Sequence, residues 1–361
     1  MIEEVRKKIL EIYHAYKHRL PLLALVGGSV FDWLTLNRPD TLFANASIIS
    51  YFTIVGGCIL LLNKRKSRGE EEEHFWLLVL MQFCFGNLAS GLLVLYSQST
   101  TWTGGLLFVA LLFAFLISNE FARSRYAHLR AHLITYYILL TAYAGIVTPI
   151  LLKTIGMQIF FIGSLAAFGI MVGYLFILYS LAPVRVKSGW RSTVAGMCAV
   201  MALTNGLYYF NLIPPVPLSI SDLGVYYHVE RKADTYIREG EAEKNWYDPL
   251  RYFGQPTLTI PQDGRLYCFS AVFAPTGLST PIRHRWQLWS VDTHTWIDDT
   301  IISFPIYGGR ADGYRGYTIK NGVTPGKWRC VVETQSGSVI GRAAFIVHEG
   351  KTSTTTQSVY H

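Results

Sequence analysis

Two pairs of histidines stand at a spacing that metal ligands use. His14 and His18, and again His128 and His132, lie four residues apart, which on a helix puts both imidazoles of a pair on one face. Such pairs can ligate a transition metal, and membrane di-iron enzymes carry histidine boxes at the cytoplasmic face. Those enzymes also need adjacent histidines, and none occurs here. The acidic run 70–73 looks flexible rather than a fixed ligand set. Interfacial anchoring is the plainer reading, so no metal is expected. Asp32 is the second candidate, an ionisable group inside the apolar stretch 20–36, where it is costly unless paired or hydrated. Arg38 and Asp40 follow at the outer boundary of that stretch. Together the three form a candidate intramembrane polar site for an ion, a proton or a substrate, with structural pairing as the alternative. Glu120 and Arg123 are helical neighbours if their helix continues, either an interfacial pair or a grip on lipid headgroups or a partner.

A third set lies towards the C-terminus. Arg285 beside Trp286, with Arg310, Arg315, Trp328 and Arg329, forms a candidate ligand face. Guanidiniums suit carboxylates and phosphates, and aromatic rings stack on sugars or cations. The alternative is internal, with Arg stacked on Trp and Tyr and paired with Asp298 or Asp299. Cys268 and Cys330 fall on expected strands, where a bridge between opposing sheets and two buried thiols both fit. Cys58, Cys84 and Cys198 fall in apolar runs, where a thiol is a small apolar filler. No dinucleotide fingerprint, phosphate loop, CxxC pair, HExxH motif or Ser-His-Asp order is present. No cofactor and no catalytic residue is therefore expected.

The elements that hold these residues follow from the charge pattern. The 361 residues are 51% hydrophobic and 16% charged, with a formal net charge of +8 and a mean hydropathy of +0.27. That excludes a disordered chain and a small disulfide-framed domain. The runs 41–63, 75–119, 131–152, 154–184 and 192–221 contain no Asp, Glu, Lys or Arg. Crossing a bilayer takes about 20 apolar residues, so seven spans are expected near 20–36, 42–62, 75–96, 102–119, 131–152, 157–182 and 193–213. With the N-terminus cytoplasmic, fifteen basic residues fall in inside segments against Arg38 and Lys153 in short outside loops, as the positive-inside rule requires. The basic pI is then a sign of topology, and no nucleic-acid partner is expected. An odd number of spans puts the C-terminus outside. No cleavable signal peptide is evident. Ile2, Val5, Ile9, Ile12, Tyr16 and Leu20 instead describe an amphipathic helix over 1–19 on the cytoplasmic interface.

Beyond residue 213 the charges return in near balance. A proline-rich junction and connector is expected over 214–260, with two short strands inside it. The segments 265–273, 283–291, 296–304, 314–320, 327–334 and 338–347 are rich in aromatic and β-branched residues and separated by turn clusters. They predict an extracytoplasmic all-β, immunoglobulin-like sandwich over 261–349. The Ser/Thr-rich tail 350–361 reads as disordered.

Several short motifs now carry a resemblance. GGSVFDWLTLNRPD at 27–40, NEFAR at 119–123 and IPPVPLS at 213–219 are three; HRW at 284–286, GYR at 313–315, PGKWR at 325–329 and Gly341 are the rest. Together the chain resembles a group of bacterial multi-span envelope proteins with a C-terminal β-domain of unknown function. The resemblance implies an inner-membrane protein with a periplasmic module and implies no reaction. A non-catalytic binding or assembly role follows as the expectation, with the lipid bilayer, a membrane or periplasmic protein or an envelope glycan as partners. A membrane enzyme or transporter built on Asp32 or the histidines is the rival.

Overall fold

The computed structural model describes residues 30, 32, 36, 38–69, 75–100, 105–121, 129–232, 235–241, 256–259, 264–349 and 354–359. It divides into two compact units, a helical one and one that holds every strand from Asn211 onwards. Six helices are described: α1 (Leu42–Ser67), α2 (Phe75–Gln98), α3 (Leu106–Phe121), α4 (Leu129–Leu152), α5 (Met157–Leu181) and α6 (Pro183–Tyr209). Thr41 starts α1, its Oγ1 accepting from the Ala44 amide at 3.3 Å.

Within the helical unit α4 carries most of the polar cross-links among the described residues. The Tyr136 hydroxyl donates to the Phe52 carbonyl at 3.3 Å, and that of Tyr143 donates to Asn45 Oδ1 at 2.9 Å. Tyr96 on α2 reaches back to the Ala142 carbonyl at 2.9 Å, and Tyr174 on α5 reaches the Gly56 carbonyl at 2.8 Å. Hydroxyls joined across helices in this way are satisfied without water, as bilayer depth demands. The outward side chains of α5, such as Phe161, Leu165, Ile170 and Phe176, are exposed and apolar. A soluble surface does not carry such a band.

Four of these helices are long and apolar enough to cross a membrane, namely α1, α2, α4 and α5. The expectation of seven spans is not supported. α3 has only 16 residues, and α6 spends its first turns on Arg185, Lys187 and Arg191. The expected first span, 20–36, and the amphipathic helix over 1–19 lie almost wholly outside the described residues.

The β unit contains three sheets. The first has the order β1 (Ser219–Tyr226), β5 (Leu266–Phe273), β8 (Tyr314–Lys320). The second has the order β4 (Thr257–Thr259), β10 (Val339–His348), β9 (Gly326–Thr334), β6 (Ser279–Ser290), β7 (Thr295–Tyr307). The third is β11 (Thr354–Val359), β3 (Thr235–Glu241), β2 (His228–Lys232). Pairing is antiparallel except between β10 and β4. Leu266, Cys268 and Val272 face the five-stranded sheet, where they join Trp286, Trp328, Cys330, Val332 and Phe345 in two buried clusters. Tyr267, Phe269 and Ala271 face the other way and pack with Val229, Tyr226 and Tyr236.

Cys268 on β5 and Cys330 on β9 form a disulfide across the sandwich, and Trp286 packs in the same cluster. A cross-sheet bridge with a buried Trp beside it is the hallmark of the immunoglobulin-like sandwich. Trp328 stands two residues before the second cysteine, where antibody domains use Tyr. Its indole Nε1 donates to the Thr324 carbonyl at 2.8 Å and pins the preceding turn.

The β unit starts before residue 261, because β1 pairs along its length with β5. The tail expected to be disordered contributes β11, which pairs with β3 from Thr354 to Val359. β-branched threonines favour extended backbone even in a polar tract.

The bridge closes a loop of 62 residues in sequence separation, worth about 4 kcal/mol in the chain-entropy account. Maleimide labelling of the denatured full-length protein, read by intact mass, should add three labels without reductant, on Cys58, Cys84 and Cys198. Reduction first should raise the number to all five cysteines of the chain. Five labels without reductant would mean that the bridge does not form.

Candidate functional site

Alternation along the strands sorts the expected ligand face into two sets. On β9 the residues Trp328, Cys330 and Val332 turn inward, so Lys327, Arg329, Val331 and Glu333 turn outward. The register places Arg285 opposite Val331 and Arg283 opposite Glu333 on β6, and Arg342 on β10 opposite Val331 on the other side. Asp298 on β7 lies across from Gln287. The outer face of the five-stranded sheet therefore carries Arg283, Arg285, Lys327, Arg329 and Arg342 against Glu333 and Asp298.

Glu333 is the hub. Its Oε1 accepts from Arg285 Nη2 at 2.7 Å and Nε at 3.1 Å, and Arg283 Nη2 stands 2.8 Å away. Arg285 Nη1 also donates to Asp298 at 2.8 Å, and Arg329 Nε donates to Gln287 Oε1 at 2.6 Å. The Arg329 guanidinium lies 4.2 Å from the Trp296 ring centroid, and Trp296 meets Trp289 edge-to-face at 5.3 Å. Burial, followed by the like charge of Arg342, pushes Arg329 down to about 10. The face holds more cation than its carboxylates neutralise.

Trp286 and Trp328 do not belong to it. Both are core residues, 0% and 2% exposed, so neither offers a ring to a ligand. Parity along each strand sends them inward with Cys330.

Arg310 and Arg315 are elsewhere again. Arg310 is exposed in the β7–β8 turn. In that turn Gly313 adopts φ +87°, and a Cβ there would stand 2.8 Å from the Val272 carbonyl carbon. Arg315 lines a cleft of about 300 Å³ with Asp222, Tyr236, Arg238, Phe269 and Asp312. Arg238 is buried there between the rings of Tyr226 and Phe269, 5.0 and 4.8 Å from their centroids. Its Nη1 donates to Asp222 Oδ2 at 2.6 Å and to the Tyr226 hydroxyl at 2.9 Å. Arg315 stands 3.7 Å from Asp312. Both guanidiniums of this cleft are matched by carboxylates.

In the helical unit Asp32 is buried, and Ser90 is hydrogen-bonded to it. Arg38 forks onto Asp40, with Nε at 3.2 Å from Oδ1 and Nη2 at 3.0 Å from Oδ2. Glu120 lies in the last turn of α3. His132 is buried on α4. Its partner in spacing, His128, lies outside the described residues, as do Arg123, His14 and His18.

A buried polar chain inside the sandwich was not singled out from sequence. His284, 0% exposed on β6, lies between Ser270 Oγ, 2.8 Å from Nε2, and Thr318 Oγ1, 2.9 Å from Nδ1. Trp286 Nε1 donates to the same Thr318 oxygen at 3.2 Å. Indole is a donor only, so the Thr318 oxygen accepts from Trp286, and the neutral His284 ring donates to one of its two hydroxyl neighbours and accepts from the other. The chain ties β6 to β8 and β5 across the core, which closes it to substrate. His284, Cys268 and Cys330 present ligand atoms within 4.8 Å of one another, but both sulfurs are committed to the disulfide. Parity with Ile282 and Trp286 is the signal that would have placed His284 inside.

Burial pushes His284 down to about 3, below the usual 6.5 for imidazole. The folded state thus favours the neutral ring. The stability this contributes is complete above pH 6.5 and drains away as the pH falls towards 3, by up to about 1.4 kcal/mol per unit. His284→Gln keeps one donor and one acceptor without the titration. Urea unfolding of the β unit, followed by Trp fluorescence in the full-length protein, should lose that part of its acid slope in the variant. An unchanged slope would count against the neutral buried ring.

Residues 279–347 match a family described as "Protein of unknown function (DUF2914)". No curated protein matches the chain. Among solved structures, an immunoglobulin-like protein from Pseudomonas aeruginosa is 12% identical over 37% of this chain and 98% of that one, with a TM-score of 0.23. A β-glucosidase from Listeria innocua in complex with gluconolactone is 11% identical over 34% of this chain and 17% of that one, at 0.20. An alkylpurine DNA glycosylase from Pseudomonas fluorescens bound to DNA is 11% identical over 86% of this chain and 99% of that one, at 0.23. Likenesses this loose carry no argument, and the sandwich stands on its own strand order and bridge. The family match runs from the first residue of β6 to the penultimate residue of β10, and so covers the charged outer face and Cys330 without the helices.

Proposed function

We propose that this chain is a non-catalytic binding protein of the bacterial inner membrane. Its helical unit anchors it, and its β unit, on the periplasmic side, holds an anionic envelope glycan on the outer face of the five-stranded sheet. The observation that carries the reading is the excess of cation on that face: five basic side chains share two carboxylates, and one of these, Glu333, is already gripped by Arg283 and Arg285. Crowding of like charge favours a ligand that brings carboxylate or phosphate. The half-buried Trp289 and Trp296 beside Arg329 supply ring surface of the kind sugars stack on. A strand-built face is also rigid, which lowers the ordering cost of binding. The rival at Asp32 rests on one buried carboxylate, and the described part of its surroundings supplies a hydroxyl partner and no second charged group bonded to it.

The test is retention of the full-length protein in detergent on immobilised polygalacturonate, with uncharged dextran as the comparison. Binding should be released by salt and weakened about tenfold by Arg329→Glu. Lys232→Glu changes the net charge equally but sits exposed on β2, away from the face, and should leave retention near the wild-type value. Equal loss in the two variants would reduce the effect to bulk charge and defeat the proposal, as would equal retention on dextran.

A further inference from the structure

At one end of the helical unit, where α4 and α6 begin and α5 ends, lies a cleft of about 230 Å³ that the glycan reading leaves unused. Two guanidiniums line it, Arg130 from α4 and Arg185 from the first turn of α6, and no carboxylate does. Arg130 Nη1 donates to Ser192 Oγ at 3.1 Å, with its stem lying over Gly189, 3.4 Å from where a Cβ would stand. Arg185 Nη1 is buried and has no hydrogen-bond partner. Among the described residues, no ion pair of either arginine is present. A buried guanidinium donor left without an acceptor is costly, and with the second, exposed guanidinium of Arg130 lining the same space the cleft calls for an anion.

The rest of the lining says what the anion is attached to. Leu133, Leu175 and Val186 give the cleft apolar walls, and Trp190 stands at it with its indole partly exposed. Trp concentrates at headgroup depth in membrane proteins. Phe176 and Ile177, next to Leu175 on α5, are exposed apolar side chains that lipid would cover. A soluble phosphate ester has no use for such walls, whereas a lipid presents phosphate and hydrocarbon together. Basic pockets between spanning helices take anionic headgroups for this reason.

We propose that the cleft bounded by Arg130, Arg185 and Trp190 binds the headgroup phosphate of an anionic glycerophospholipid. The lipid arrives from the adjoining leaflet. Its phosphate oxygens accept from Arg185 Nη1 and from Arg130, and its glycerol lies against Leu133 and Val186.

The experiment is native mass spectrometry of the full-length protein released from detergent, with added phosphatidylglycerol, phosphatidylcholine or glycerol phosphate. The wild type should hold one phosphatidylglycerol at least tenfold more tightly than phosphatidylcholine, whose choline charge the two arginines repel. Glycerol phosphate at the same concentration should leave no adduct. Arg130→Ala with Arg185→Ala should lose the adduct about tenfold, while Lys66→Ala, a basic residue of α1 outside the cleft, should keep it. Arg130→Lys with Arg185→Lys keeps the charge and loses the fork, so it should fall between the two. This variant decides the matter if the double alanine variant fails to fold by circular dichroism. Equal phosphatidylglycerol binding in wild type and in folded double variants would overturn the proposal. So would a glycerol phosphate adduct as abundant as the lipid's.

Discussion

Strand β5 has no side that faces water. All eight of its residues are buried, because β1 and β8 flank it in its own sheet while a second sheet covers each of its faces. Its sequence, LYCFSAVF, is accordingly almost continuously apolar rather than alternating. Much of the β unit answers to that constraint. One face requires the five-stranded sheet and places Cys268 against Cys330; the other requires β2 and β3, which bring Val229 and Tyr236. Two polar side chains of this interior, Ser270 and His284, persist because each meets the other and Thr318 closes the chain.

The same constraint leaves one broad surface of the β unit to the arginines. With β5 covered on both sides, the outer face of the five-stranded sheet is the large strand-built face that no further sheet covers among the described residues. Its composition differs from the inner face residue by residue along the same strands. Arg283 and Arg285 alternate with His284 and Trp286, and Arg329 alternates with Trp328 and Cys330. A one-residue slip in register would bury three guanidiniums and expose the bridge. The charged face and the core therefore specify each other.

Much of this was legible in the sequence, and the failures have physical causes. Strands β5 to β10 follow from aromatic and β-branched runs separated by turn clusters. β1 reads as part of a junction because SISDLGVY is polar enough to pass for a connector, although it pairs with β5 from end to end. β11, TTTQSV, is a strand by pairing with β3 and carries no apolar face by which to recognise it. Trp286 and Trp328, expected on a ligand face, are core residues, because the strand parity that turns Cys330 inward turns them inward with it. Charge counting located the basic ends of the helices, but whether a run of residues becomes a span depends on helix length. α3 has only 16 residues, and α6, though 27 residues long, carries Arg185, Lys187 and Arg191 in its first turns.

The account rests most heavily on a strand enclosed on both faces, and hydrogen–deuterium exchange of the full-length protein in detergent tests that directly. Peptides covering Leu266–Phe273 should exchange among the slowest in the β unit, while those from β7, paired on one edge by β6 alone, should exchange much sooner. Amides of β5 that exchange as fast as those of β7 would contradict the enclosed strand and the sandwich built around it.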